Sequence, residues 1–367
     1  MKLYTGVKAT ALVCALSLTL AACGTSAGEA QQSAGNASAT SATTSDTLNG
    51  SGATSQQNAQ QAWRDAFTSE SGVVVNYDPT GSGTGREQFI AGKVAYAGSD
   101  SAMRDDEIAA ATARCIGQEP LELPLYISPI ALAFNLEGID RLDLDSSTIA
   151  KIFAGEITKW NDPAIMALNP HAALPDQAII PVNRADDSGT TENFQQYLQA
   201  AAPDVWNYEP SDVWPIEGTQ SAEKTSGVVN LVSSTPGAIT YADASQIGDL
   251  GTVAVEVGDE FLPYSPEAAA AIVDGSSPAA NATDRIQAVD LVRDGSIPGA
   301  YPIVMISYLI ACTQYEDPAQ ATHVKDFLTY VASENGQDAA TKAQGGNAPI
   351  SDALREKVMT AIELIGA

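Results

Sequence analysis

The chain has 367 residues, of which 44% are hydrophobic, and its 45 acidic and 18 basic residues give a formal net charge of −27 at pH 7. So acidic a composition excludes a nucleic-acid-binding face and a face for anionic membranes. The length past residue 47 exceeds what one hydrophobic core usually supports, so we expect two lobes with a cleft between them.

Residues 1–22 are typical of an export signal, since Lys2 and Lys8 precede an apolar run that ends in small residues. Cys23 follows directly, as in a bacterial lipoprotein signal, in which it becomes the lipidated first residue. Residues 23–47 are almost wholly small and polar, which predicts a flexible tether. No later apolar run approaches the ~20 residues of a membrane helix, so we expect a body outside the cytoplasm, attached to the membrane by its lipid alone.

Strand-like and helical segments alternate over most of the body, which predicts an α/β fold with helices flanking a sheet. The strand-like segments are 73–77, 94–97, 130–135, 179–182, 238–241, 252–256 and 303–311. Two apolar segments that contain proline, 123–127 and 301–304, are expected to carry the chain between the lobes. The helical stripe of Val324, Phe327, Leu328 and Val331 is interpreted as a core face.

Three segments carry glycines and hydroxyl residues immediately before a helical pattern. These are Gly50–Ser55, Gly81–Gly85 and the stretch from Arg184 to Thr190. A helix N-terminus exposes unpaired N–H donors and about half a unit of positive charge. If the three segments converge, they can hold an anion without a metal, with Arg184 as a fixed cation.

The body contains two cysteines, Cys115 and Cys312, because Cys14 lies in the signal and Cys23 at the lipid site. Outside the cytoplasm such a pair is often oxidised, so a Cys115–Cys312 disulfide is one interpretation. Two buried free thiols are the other.

These segments, with Tyr96-Ala97-Gly98-Ser99-Asp100, resemble the phosphate-binding lipoprotein of the bacterial high-affinity phosphate ABC importer. Residues 152–162 and 235–241 extend the resemblance over nearly the whole body. It implies a two-lobed, type II periplasmic-binding-protein fold with a ligand cleft and a two-segment hinge. Lobe I would comprise residues 48–125 and 303–367, and lobe II residues 126–302.

The resemblance also implies which residues contact phosphate. These are Thr54, Ser55, Ser82, Asp100, Arg184, Ser188, Gly189 and Thr190. Ser55 departs from the family pattern, because the family usually has a Phe there, which contributes its backbone N–H.

Two acidic residues of this region have open roles. Asp100 would accept a proton that phosphate carries near neutral pH and sulfate lacks, which makes it the predicted selectivity residue; its alternative role is to cap the helix that begins near Asp105. Asp186 either orients Arg184 or is a solvated loop acid.

The implied function is capture of inorganic phosphate and its delivery to the permease and ATPase subunits of an ABC importer, with no catalysis, cofactor or metal. A receptor for another oxyanion or an organic phosphate remains an alternative on the same fold. A secreted phosphatase is a further alternative, although Ser188 lacks a Gly-x-Ser-x-Gly setting and neither His171 nor His323 lies in a metal-like cluster. A dinucleotide site fails on spacing, since Arg86 stands where the third small residue belongs.

Overall fold

The computed structural model describes residues 47–343 and 346–366. The predicted export signal, Cys23 and the tether up to residue 46 lie outside these residues, and Thr47 is the first residue of a strand. Over the described ranges, no helix combines the length and the apolar character that a membrane span requires.

Strands and helices alternate along the described chain, as the α/β prediction requires. The strands are β1 Thr47–Gly52, β2 Val74–Pro79, β3 Tyr96–Ser99, β4 Leu121–Phe134, β5 Arg141–Leu144, β6 Ile180–Arg184, β7 Gln220–Ala222, β8 Ala238–Asp243, β9 Gly251–Val257, β10 Glu260–Leu262, β11 Ser277–Pro278, β12 Val289–Asp290 and β13 Val304–Ala311. The helices are α1 Gln57–Ser71, α2 Ser82–Ile90, α3 Asp105–Arg114, α4 Ser146–Phe153, α5 Pro163–Leu168, α6 Gly189–Ala201, α7 Lys224–Ser234, α8 Pro266–Asp274, α9 Pro318–Ala332, α10 Glu334–Lys342 and α11 Asp352–Ile362.

The strand β4 divides the main sheet into two parts. Its first part, residues 121–129, pairs with β13, and β13 pairs with β3 beside the parallel strands β1 and β2. We call this the first sheet half. From Ile130 onward β4 pairs with β8 and β9, and β6 and β7 lie parallel to β8 beyond them. With β5 and β10 these strands form the second sheet half.

The observed β4 begins nine residues before the predicted strand, which started at residue 130. The start of β4 was predicted wrongly because Pro124 lies inside it, and proline usually ends or borders a strand. In the structure Tyr308 pairs with Pro124 and Ser307 pairs with Tyr126, so Leu125 is an extra residue on this strand. A bulge accommodates both the extra residue and the missing N–H of proline.

The central strand β1 was not predicted, because its sequence, TLNGSG, is poor in strand-forming residues. Its glycines are required by packing against β3. A Cβ atom on Gly50 would lie 2.2 Å from the ring of Tyr96, and one on Gly52 would lie 2.0 Å from the carbonyl oxygen of Gly98. The close approach therefore excludes any larger residue and brings the end of β1 beside the end of β3.

Each sheet half has an aromatic core that fixes its helices. On the first half, Phe67 of α1 meets Phe327 of α9 with ring centroids 5.4 Å apart. The predicted core stripe on α9 is fully buried. On the second half, Phe194 of α6 stacks on Tyr241 of β8 at 4.6 Å. This packing holds the first turn of α6 at the edge where β6 ends.

The structure joins Cys115 to Cys312 by a disulfide, with Cα atoms 5.2 Å apart. The bond connects the end of α3 to the end of β13, positions 197 residues apart in sequence, and both cysteines are fully buried. It therefore closes a loop that contains the whole second sheet half.

We predict that replacing both Cys115 and Cys312 with Ala lowers the free energy of unfolding by about 2–4 kcal/mol, since the unfolded chain regains the freedom of a long loop. Thermal unfolding of the wild type with and without reductant measures the effect. The double variant is the control, because it should not respond to reductant. Equal wild-type stability in both conditions, or labelling of both thiols by alkylation of the unfolded, unreduced protein, would contradict the disulfide.

Candidate anion-binding site

The predicted site residues follow the carboxyl ends of parallel strands in both sheet halves. Thr54 and Ser55 come after β1, Ser82 after β2 and Asp100 after β3. Arg184 ends β6, and the segment from Ser188 to Thr190 leads from it into α6. The carboxyl ends of strands in α/β sheets form crevices where ligands bind. The structure thus brings the three predicted segments to one junction between the sheet halves.

Helix N-termini line this junction. The helices α1 and α2 come from the first half, and α6 and α7 come from the second. No side chain caps the first turn of α1 or α2. The backbone N–H of Gln57 in α1 donates to the carbonyl oxygen of Thr54 at 3.3 Å, and helix N-termini of this kind otherwise offer N–H donors to an anion. Ser188 caps α6 by accepting from the backbone N–H of Thr191 at 3.2 Å, which leaves its hydroxyl proton for a ligand.

The carboxylate of Asp100 is the centre of the hydrogen-bond network. Its Oδ1 accepts from the hydroxyls of Ser55 at 2.6 Å and Ser307 at 2.5 Å, and its Oδ2 accepts from the hydroxyl of Thr190 at 2.9 Å. Burial raises the pKa of Asp100, while these hydroxyls and the charge of Arg184 oppose the rise. Asp100 does not cap α3, whose N-cap residue is Arg104.

Arg184 is held by one edge of its guanidinium group. Its Nε donates to Oδ1 of Asp186 at 2.7 Å, and its Nη2 donates to Oδ2 of the same carboxylate. Burial alone would raise the pKa of Asp186, but the hydrogen bonds and charge of Arg184 lower it below its ordinary value. The pairing therefore orients the guanidinium group and leaves the Nη1–Nη2 edge for two oxygens of a ligand.

The N-terminus of α7 is a fourth part of the site, which the sequence did not reveal. The backbone N–H of Lys224 donates to Asp186 at 2.9 Å, and that of Thr225 donates to the hydroxyl of Thr54 at 3.2 Å. The hydroxyls of Thr54 and Thr225 also share a hydrogen bond of 2.8 Å. Glu223-Lys224-Thr225 carries no glycine pattern, so nothing in the segment distinguished it from an ordinary helix start.

Gly189 is required by the close contact between the halves. A Cβ atom there would lie 2.7 Å from Cβ of Asp100 and 2.8 Å from the hydroxyl of Ser82. The backbone N–H of Asp100 donates to the same hydroxyl of Ser82 at 3.1 Å. Any side chain at residue 189 would push α6 away from Asp100, so glycine lets the two halves meet.

Asn193 and Arg293, which the sequence analysis missed, link α6 to the first sheet half. The side-chain amide of Asn193 donates to the carbonyl oxygens of Asp100 at 2.7 Å and Gly189 at 2.8 Å. Arg293 donates to the amide oxygen of Asn193 and, at 2.7 Å, to the carbonyl oxygen of Val304. Burial lowers the pKa of Arg293 to about 10, so it stays charged at neutral pH.

A buried ion-pair cluster makes a second link between the halves. Arg86 on α2 is fully buried and contacts Glu107 at 2.9 Å and Asp212 at 3.2 Å. Asp212 belongs to the second half, and its backbone carbonyl oxygen accepts from the N–H of Ser188 at 2.9 Å. Arg86 thus lies beside the loop that positions Ser188.

Every predicted ligand residue of this junction is buried; Arg184, the most exposed of those with side chains, is 4% exposed. Within the described part of the chain, no group of histidine, cysteine and acidic side chains could hold a metal ion. The arrangement combines one guanidinium edge, several hydroxyl groups, one carboxylate and the N-termini of helices in a buried junction. Such a set suits a small oxyanion that still carries a proton.

Comparisons with known proteins agree with this geometry. A family model described as a PBP superfamily domain matches residues 37–335. Phosphate-binding protein PstS 3 of Mycobacterium tuberculosis is 35% identical over 324 residues, which cover 87% of this chain and 86% of that protein. Phosphate-binding protein PstS 2 of the same species is 31% identical over 376 residues, which cover 100% of both.

A solved structure of a high-affinity periplasmic phosphate-binding protein with bound phosphate has the same fold, with a TM-score of 0.69. The two sequences are 22% identical, and the match covers 85% of this chain and 93% of the solved chain. At this identity the similarity supports the fold only. The type II periplasmic-binding-protein fold expected from the sequence is thereby confirmed. With a family model over most of its length and relatives above 30% identity, this chain belongs to the PBP superfamily and, within it, to the PstS phosphate-binding proteins.

Proposed function

We propose that this protein captures inorganic phosphate and delivers it to the permease and ATPase subunits of an ABC importer. One observation carries the proposal: a buried junction that combines the free edge of Arg184 with the carboxylate of Asp100. The cation and the hydroxyl and N–H donors attract an oxyanion, and the carboxylate requires that the oxyanion bring a proton. The relatives named phosphate-binding proteins support this reading.

The phosphate ligands we propose are those expected from the sequence. They are the hydroxyls or backbone N–H groups of Thr54, Ser55, Ser82, Ser188, Gly189 and Thr190, with the side chains of Asp100 and Arg184. The family consists of transport proteins, and the chain is accordingly not an enzyme. Its role is therefore binding without chemistry.

The closed junction supports a hinge that opens it. We propose that lobe I comprises residues 48–125 and 303–367, and lobe II residues 126–302. The change of β4 partners between Pro129 and Ile130 supports a crossing close to that boundary. We also propose that the chain acts outside the cytoplasm, anchored to the cell membrane by a lipid on Cys23, because the pattern before that cysteine fits a lipoprotein signal.

Isothermal titration with phosphate and with sulfate, after unfolding and refolding to remove bound ligand, tests the proposal. We expect saturable phosphate binding and little response to sulfate. A response to neither anion, or an equal response to both, would refute a phosphate receptor.

We predict that Arg184→Ala weakens phosphate binding at least ~100-fold, because two charge-assisted hydrogen bonds are lost in a buried site. Arg184→Lys should recover only part of the affinity, since an ammonium group lacks the planar fork. Titration calorimetry gives the affinities, and thermal unfolding verifies that each variant folds. Near wild-type affinity in folded Arg184→Ala would remove Arg184 from the site.

We predict that Asp100→Asn narrows the preference for phosphate over sulfate. An amide at residue 100 can donate to a fully deprotonated oxyanion, so the like-charge penalty against sulfate disappears. The ratio of the two dissociation constants in the variant and the wild type measures the change. An unchanged ratio would show that Asp100 does not select the ligand.

We predict that Asp212→Asn weakens phosphate binding about tenfold, because closure then no longer gives Arg86 its second carboxylate partner. The matched control is Asp176→Asn, which removes an exposed pair with Lys159 in the second half and should leave the affinity unchanged. Stopped-flow release of phosphate should place most of the loss in the dissociation rate. Equal affinities for the two variants would show that the Arg86 cluster does not stabilise closure.

A further inference from the structure

The hydroxyls around Asp100 do not all belong to the predicted ligand set. Ser307, in the middle of β13, was not predicted to act in the site, and it is fully buried. Ser55 belongs to the predicted ligand set, and its hydroxyl donates to Asp100 at 2.6 Å. Both hydroxyls meet the same oxygen, Oδ1, from different elements of the first sheet half.

Gln56 fixes the direction in which Ser307 donates. The side-chain amide of Gln56 donates to the hydroxyl oxygen of Ser307 at 2.5 Å and to the carbonyl oxygen of Tyr308 at 3.4 Å. An amide N–H has no lone pair to accept the Ser307 proton, so that proton remains directed at Asp100. Gln60 in turn donates to the amide oxygen of Gln56 at 2.9 Å, and this bond sets the orientation of the Gln56 amide. The chain of donors therefore ends on Asp100.

A carboxylate has about four acceptor positions. Ser55 and Ser307 occupy both positions on Oδ1, and Thr190 occupies one on Oδ2. One position on Oδ2 then remains, on the oxygen that faces α6. A ligand can use it only by donating a proton.

We propose that Ser307 and Ser55 are positioning residues for ligand selection: their hydroxyls hold Asp100 ionised and leave it a single acceptor position for a protonated oxyanion. The inference rests on the proposed function in that the oxyanion is phosphate. Ser55 thus has a role through its side-chain hydroxyl, which donates to Asp100.

The surroundings of Asp100 make these hydroxyls necessary. Arg184 at the end of β6 and Tyr77 on β2 are coupled to the charge of Asp100. Glu192 of α6, Arg293 and Tyr308 of β13 line the same cavity as Asp100. Arg184 is partly neutralised by Asp186, and the pKa of Tyr77 is raised by burial, so Tyr77 is neutral at physiological pH. Burial favours the protonated carboxyl. Hydrogen bonds to the ionised form counteract that preference.

A protonated Asp100 would reverse the selection. It would offer a donor in place of an acceptor, so a fully deprotonated oxyanion such as sulfate would become a suitable ligand. Loss of either serine hydroxyl should therefore raise the pH below which Asp100 is protonated and the preference for phosphate over sulfate is reversed.

The first test needs no ligand. Carboxyl-carbon NMR titration of the ligand-free protein, with Asp100→Asn to identify the resonance, gives the pKa of Asp100 directly. In Ser307→Ala and in Ser55→Ala we expect Asp100 to hold its proton about ten times more tightly than in the wild type. The control is Ser51→Ala, a fully buried serine whose hydroxyl contacts Asp78 and Thr80, and it should leave the pKa unchanged.

The second test uses phosphate and sulfate affinities from acidic to alkaline pH. The ratio of variant to wild-type dissociation constants cancels the ionisation of phosphate itself. For Ser307→Ala and Ser55→Ala we expect the phosphate ratio to rise as the pH falls, and sulfate binding to begin at a higher pH than in the wild type. If Ser307→Ala does not fold, Ser307→Cys, a near-isosteric change to a weaker donor, replaces it.

An unchanged pKa in both variants, a shift of equal size in Ser51→Ala, or phosphate ratios that do not vary with pH would overturn the proposal. These outcomes differ from failure of the proposed function. In that case the wild type would bind no phosphate, while the NMR titration would still report on Asp100.

Discussion

The structure depends on one constraint: parallel strands of both sheet halves end at the same junction, so the helices that follow them begin there. Each such start brings backbone N–H groups and positive potential to one point. This arrangement explains how a protein with a formal charge of −27 can hold an anion. Screening limits the distant surface carboxylates to about 8–10 Å, whereas the donors at the junction act at hydrogen-bond distance in a buried space. The sheet topology thus supplies part of the attraction, and Arg184 adds a side-chain cation with a free edge.

Asp186 and Asp100, two acidic residues at the junction, both have their charge opposed by donors. The carboxylate of Asp186 accepts hydrogen bonds from Arg184 and from the N-terminus of α7. These bonds fix the orientation of the Arg184 guanidinium group. Asp100 is surrounded by hydroxyls that satisfy three of its acceptor positions. In the proposed site Asp186 orients the cation, and Asp100 requires a ligand that donates a proton. Selectivity of this sort comes from a mismatch imposed on the wrong ligand rather than from extra contacts with the right one.

Much of this site could be predicted from sequence because its residues are adjacent in short segments. Ser82, Ser188, Gly189 and Thr190 are recognisable from the glycines and hydroxyls at helix starts, and Arg184 from its place between a strand and such a segment. Ser307, Asn193 and Arg293 could not be found in this way. Ser307 lies within an apolar strand, Asn193 in the middle of a helical pattern and Arg293 in an irregular segment, and their partners lie roughly a hundred or more residues away. The strand β1 was missed for a related reason, since its glycines serve a contact with β3 that no local pattern reveals.

The contacts between the halves determine how a ligand enters the junction and how stable the closed state is. The proposed phosphate ligands are at most a few per cent exposed, so the proposed entry and release of phosphate require the halves to separate. In the proposed closed state some bonds between the halves do not involve the ligand, including Thr54 to Thr225 and Arg86 to Asp212. These bonds contribute a fixed part of the free energy of closure. The ligand contributes the rest by contacting groups of both halves. A receptor that must release its ligand needs the free energy of closure to be divided between protein contacts and ligand contacts. If the protein contacts alone were strong enough, the junction would close without phosphate, and if they were absent, the ligand would have to supply the whole free energy of closure.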